Sequence, residues 1–78
     1  MRQKKPYLVV TFAATTDAMA MERFCKEEGM PGRMIPVPGT ISADCGLAWC
    51  APPESQGILR QLMERCAITP QGIHLRLV

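Results

Sequence analysis

Several chemistries are excluded by what this chain does not contain. Aromatic residues make up only 5% of its 78 positions, and no stripe of Lys and Arg is interleaved with them. With a net charge of +2, nucleic-acid binding lacks both the basic surface and the stacking groups it needs. No apolar run approaches the ~18 residues of a membrane-spanning helix, so no transmembrane segment and no membrane partner are expected. No Cys-x-x-Cys pair occurs, and a zinc site of Cys25, Cys45, Cys50 and the single histidine, His74, would be an accident of folding. Neither a metal nor a cofactor is therefore expected. Ser/His/Asp, paired-carboxylate and phosphate-loop patterns are missing too: Gly29-Met30-Pro31-Gly32 reads as a helix stop followed by a turn. Arg2, Lys4 and Lys5 crowd the first five positions, and residues 1–6 read as a flexible, solvated basic tip.

What is present belongs to an ordinary globular chain. A hydrophobic fraction of 47% with 21% charged residues argues against disorder, and no internal repeat breaks the chain into units. One domain over residues 1–78 is expected, burying about 60–65% of the surface its unfolded form exposes. With so few aromatics, Leu, Ile, Val and six methionines must fill the core, and the flexible thioether suits irregular gaps. Tyr7 to Ala14 followed by Ala18-Met19-Ala20 imitates a secretory signal. The apolar run is short, however, Thr15-Thr16-Asp17 is polar, and cleavage would remove the best strand. The four cysteines allow three disulfide pairings. Cys25 and Cys66 nevertheless fall within helical patterns, where a buried thiol behaves as a small hydrophobe. A reducing, cytoplasmic setting is expected.

The elements can be placed from periodicity. Tyr7–Phe12 is a strand with Leu8, Val10 and Phe12 on one face and Tyr7, Val9 and Thr11 on the other; both faces are largely apolar, as for a central strand. Thr15-Thr16-Asp17 supplies helix-capping chemistry for a helix over Asp17–Glu28, with Ala18, Met21, Phe24 and Cys25 forming its stripe and Gly29 its stop. Arg33–Val37 is a strand that Pro36 assigns to a sheet edge. Gly46–Cys50 is the third strand. Pro52-Pro53-Glu54 opens a second helix with Ile58, Leu59, Leu62, Met63 and Cys66 as its apolar stripe, and Ile73–Leu77 alternates as the last strand. Strand, helix, strand, strand, helix, strand predicts an α+β fold. The expected form is the ferredoxin-like βαββαβ arrangement, a four-stranded antiparallel sheet with two helices on one face.

The chemistry is concentrated between the second and third strands. Ser42-Ala43-Asp44-Cys45-Gly46 is a turn-forming run that ends in a thiol beside a glycine, and loops held by a rigid scaffold are where reactive groups sit. Gly46 is expected to let backbone N–H groups approach the sulfur and to keep the approach open. Asp44 opposes this, since a neighbouring carboxylate disfavours a second negative charge. A hairpin pairing Val37 with Cys45 would set Arg33 opposite Trp49, too far for direct contact with the thiol. Cys50, five residues on, points to the opposite face of the strand, so a Cys45–Cys50 redox pair requires the strand to begin after Cys45.

With these residues located, the chain resembles a family of small bacterial and archaeal proteins described as selenium/sulfur carrier-like. The resemblance runs through Thr16-Asp17-Ala18-Met19, Glu28-Gly29, Arg33-Met34-Ile35-Pro36-Val37-Pro38, the Ser42-to-Ala48 segment around Cys45-Gly46, and Gly72-Ile73. Its specific parts are the Cys-Gly step and the Ile-Pro-x-Pro run. It implies that Cys45, with Gly46, holds sulfane sulfur or selenium as a persulfide or selenosulfide. The protein would then be a relay between donor and acceptor proteins and not an enzyme with turnover of its own. A competing reading is a binding or regulatory module whose open sheet face, lined by Tyr7, Val9, Val37 and Ala48, docks a partner. A homodimer through that face fits either reading.

Overall fold

A computed structural model describes residues 5–39, 41 and 43–77. Arg2 and Lys4 of the basic tip and Ser42 of the turn lie outside the described residues. Among the described residues there are four strands and two α-helices: β1 (Pro6–Thr11), α1 (Thr15–Glu27), β2 (Arg33–Pro36), β3 (Leu47–Ala51), α2 (Gln56–Arg65) and β4 (Gly72–Leu77). A 3₁₀ turn, Pro53–Ser55, leads into α2, so the proline pair starts a tighter turn and the α-helix follows it. The strands form one sheet in the order β2-β3-β1-β4, and every neighbouring pair is antiparallel. The fold is α+β, as the periodicity predicts. β1 is central and Pro36 lies on an edge strand, where its missing N–H leaves no ladder bond unmade.

The alternation along β1 decides where the helices go. Leu8, Val10 and Phe12, with Trp49 and Ala51 of β3, form one buried cluster with Ala18, Met21 and Cys25 of α1 and Leu59, Leu62 and Met63 of α2. Residues two apart on a strand share a face, so both helices cover the same side of the sheet. Each leucine, methionine or phenylalanine removed from water here contributes roughly 1.5–3 kcal/mol. On the other side, Val9 and Ala48 are fully buried beneath Ile41, with Ile35 and Val37 packed alongside. Ile41, between β2 and β3 in sequence, thus lies over the helix-free face. This corrects the expectation of an open docking face: Val9 and Ala48 are covered by the chain's own loop, and only Tyr7 and Val37 of the expected lining keep partial exposure.

Two local expectations are also corrected. The β2–β3 ladder pairs Arg33 with Cys50, Met34 with Trp49, Ile35 with Ala48 and Pro36 with Leu47, and the Val37 N–H donates to the Gly46 carbonyl at 3.0 Å. Pairing therefore starts at Gly46 and not at Cys45. That slip of one residue places Arg33 opposite Cys50, because a one-residue change exchanges the two faces. At α1 the N-cap is Ala14, in extended conformation and without a side-chain cap, while Thr15, Thr16 and Asp17 already lie within the first turn. Only Phe12, Ala13 and Ala14 separate β1 from α1, so the helix starts as soon as the chain turns.

The two helices end alike. After α1, the Met30 N–H reaches the Cys25 carbonyl at 2.8 Å with Gly29 at φ +66. After α2, the Ile68 N–H reaches the Met63 carbonyl at 2.8 Å with Ala67 at φ +58. Both are Schellman closures, which need a left-handed residue just beyond the helix. Arg65 and Glu28, 2.7 Å apart, join the two ends.

Candidate functional site at the end of β1

Antiparallel order brings three sequence-distant segments together. β3 and β4 flank β1 and run against it, so the residues preceding each of them arrive where β1 ends and α1 begins. Those residues are Asp44-Cys45-Gly46 before β3 and Gln71 before β4. The Cys45 N–H donates to the Phe12 carbonyl at 3.1 Å, and the Gln71 N–H donates to the Thr11 carbonyl at 2.7 Å.

Cys45 points to the helix side of the sheet. Its thiol donates to the Thr15 hydroxyl oxygen at 3.8 Å, and its Sγ accepts from the Leu47 N–H at 3.4 Å. The sulfur therefore sits at the first turn of α1, where no side chain caps the helix and the dipole presents its positive end. Thr15, expected as a cap, spends its hydroxyl on the sulfur. Cys45 is only 4% exposed and belongs to the cluster under α1 and α2, which corrects the picture of a thiol displayed on an open loop. Its neighbours Asp44 and Gly46 are exposed, so the segment that carries the buried sulfur lies at the surface. A side chain at Gly46 would meet nothing within 4 Å, and the N–H that reaches the sulfur belongs to Leu47. The glycine is therefore not needed to clear space.

Asp44 is engaged elsewhere. Its N–H donates to Gln71 Oε1 at 3.0 Å, and its Oδ2 accepts from Gln71 Nε2 at 3.1 Å. The carboxylate thus has a partner of its own at the surface, beside the buried thiol.

The other three thiols are free and differently placed. Cys25 is fully buried; burial, with Glu28 and then Cys66 adding to it, pushes its thiol up from 9.0 to about 11. Cys50 is paired with Val9 and Arg33 on the loop-covered face; burial raises its thiol, partly offset by the Arg33 guanidinium. His74, opposite Val9, shares that face. Cys45 and Cys50 therefore lie on opposite sides of the sheet, although β3 does begin after Cys45. Among the described residues no group of three or more His, Cys, Asp or Glu side chains is arranged to hold a metal ion. No helix among them is long and apolar enough to cross a membrane.

A family model described as "Putative Se/S carrier protein-like" matches residues 7–75. The chain belongs to this Se/S carrier-like family. The match takes in all four strands except the outermost residues of β1 and β4, together with both helices and the Cys45 segment. No curated protein and no solved structure matches the chain. In this Se/S carrier-like chain, Gln71 and the sulfur-facing role of Thr15 were not found from the sequence. The available signal was topological: once the strand order is known, whatever precedes β3 and β4 must meet the end of β1.

Proposed function

We propose that the protein is a carrier that holds sulfane sulfur or selenium on Cys45 and passes it between partner proteins. The observation that supports this best is the placement of Sγ against the Leu47 N–H and the Thr15 hydroxyl at the uncapped start of α1. Among the described residues, Cys45 is the one cysteine whose sulfur is met by such groups. A nucleophilic sulfur must be a thiolate, and the Leu47 N–H and the Thr15 hydroxyl are groups able to hydrogen-bond to one.

The transfer is an exchange at sulfur without net redox change. The Cys45 thiolate attacks the outer sulfur of a donor R–S–SH; the new Cys45 S–S bond forms as the old S–S bond breaks, and R–S⁻ leaves with the electron pair. The proton given up by the Cys45 thiol goes to solvent or to the departing thiolate. An acceptor nucleophile later takes the outer sulfur and returns the Cys45 thiolate. A donor R–S–SeH delivers selenium by the same step. The thiol hydroxyl pair serves both states, because the Thr15 hydroxyl accepts from S–H and turns to donate to S⁻. The chain acts as a relay in a reducing, cytoplasmic setting, with the donor and acceptor proteins as its partners.

The sheet supports reading the fold as the ferredoxin-like βαββαβ arrangement, since β3 lies between β1 and β2 and splits the first βαβ unit. The direct test is sulfur loading: reduced protein mixed with a low-molecular-weight persulfide gains one sulfur on the peptide containing Cys45, and Thr15→Val loads more slowly while Thr15→Ser keeps the rate. Loading on Cys66 or Cys50 instead would overturn the assignment.

A further inference from the structure

We infer that Gln71 and Asp44 form a clasp that keeps Cys45 covered, and that opening this clasp is the step by which a partner reaches the thiol. This rests on the carrier reading and adds to it the control of access.

Three successive residues hold the sulfur-bearing segment. Gly46 is tied through its carbonyl to the Val37 N–H at 3.0 Å, and Cys45 through its N–H to the Phe12 carbonyl at 3.1 Å. Asp44 is tied by two bonds to one side chain, Gln71, at 3.0 and 3.1 Å. The first two are backbone bonds that continue the strand pairing just past the strand ends. The third is made by the exposed Gln71 amide with the Asp44 backbone N–H and carboxylate, and is the one a partner can replace without breaking a backbone pairing. Gln71 is itself anchored to β1 by its 2.7 Å bond to the Thr11 carbonyl, so the fixed side of the clasp is the sheet and the movable side is the segment carrying Cys45. A thiol 4% exposed exchanges nothing with a macromolecule until that segment lifts, and local opening of this kind is governed by its few surface bonds.

The test follows alkylation of Cys45 by iodoacetamide in the native protein, read from the peptide that contains it. The Gln71→Ala variant removes both bonds and is expected to raise the Cys45 rate about tenfold, in keeping with the loss of a pair of hydrogen bonds to a charged residue. Q71E keeps the acceptor for the Asp44 N–H but sets two carboxylates against each other, and is expected to open to a similar extent at neutral pH. D44N keeps both bonds and stays within about twofold of the parent. The double variant Q71E/D44N restores a donor facing an acceptor with the roles exchanged, and returns to the parent rate. Such reciprocal rescue is not produced by general loosening, and it keeps the test open if Gln71→Ala does not fold. Equal rates across the series, or no rescue in the double variant, would overturn the clasp. Loading with cysteine persulfide, run on the same proteins, separates the two claims. If alkylation follows the series but no sulfur is gained, the clasp stands and the carrier reading fails. If sulfur loads equally on all variants, the carrier reading stands and the clasp fails.

Discussion

Around Trp49 the chain has no slack, and single residues there carry measurable stability. The indole N–H donates to the Pro31 carbonyl at 3.2 Å, and Gly32 lies against the ring with φ +121. A Cβ at Gly32 would collide with the indole and come within 2.6 Å of the Cys50 carbonyl. Gly32→Ala should therefore cost roughly 2–4 kcal/mol, combining backbone strain with overpacking, as read from the urea midpoint. Gly57 in α2 is the contrast: a Cβ there meets nothing, and Gly57→Ala should stabilise by about 0.5 kcal/mol. Cys25 gives a pH dependence. Its thiol is raised in the folded state, so between 9.0 and about 11 the native protein binds more protons than the unfolded chain. Stability is full below that window and falls as pH rises through it. Thermal melts should be level toward pH 9 and drop above it, with Cys50 adding to the same slope; Cys25→Ala should flatten the drop.

The elements show where periodicity suffices and where long-range contacts decide. The stripe of α1, the two faces of β1 and the edge position of β2 follow from apolar spacing and from Pro36, all of which are local. In α2 only Leu59, Leu62 and Met63 of the expected stripe are buried, while Ile58 is exposed and Cys66 lies just past the helix end. The helix stops differ in an informative way. Gly29 occupies its left-handed site without strain, whereas Ala67 holds the equivalent conformation with a Cβ. Nothing local announced Ala67, because the sequence offers no glycine there and the closure comes from Ile68 docking in the core. Ala67→Gly should stabilise the protein and Gly29→Ala destabilise it, each by about 1 kcal/mol, in paired denaturant titrations. The register of β2 on β3 is not fixed by local pattern, since both Cys45 and Gly46 are plausible first partners for Val37, and the structure pairs Val37 with Gly46. Only the fold-over of Ile41 onto Val9 and Ala48 selects between them. Ile41→Ala should loosen that cover, costing roughly 2 kcal/mol and speeding alkylation of Cys50 on the same face.

At the scale of the whole molecule, the sheet order is what makes a site. Cys45 stood out in the sequence as a thiol in a turn beside glycine, but its depth did not, because burial depends on α1 and Phe12 arriving from elsewhere in the chain. Thr15 was visible only as a capping residue, and its hydroxyl meets the sulfur across 30 positions of sequence. Gln71 carried no signal at all until β4 was known to lie beside β1, 27 positions from Asp44. Local pattern thus singled out the cysteine, and topology supplied the groups that surround it. The measurement that bears most directly on this account is intact mass after reduced protein meets a persulfide donor, with Cys45→Ser alongside. A gain of one sulfur that a reductant removes, and that Cys45→Ser lacks while keeping its fold, is the predicted result. No gain, or an equal gain on Cys45→Ser, would contradict it.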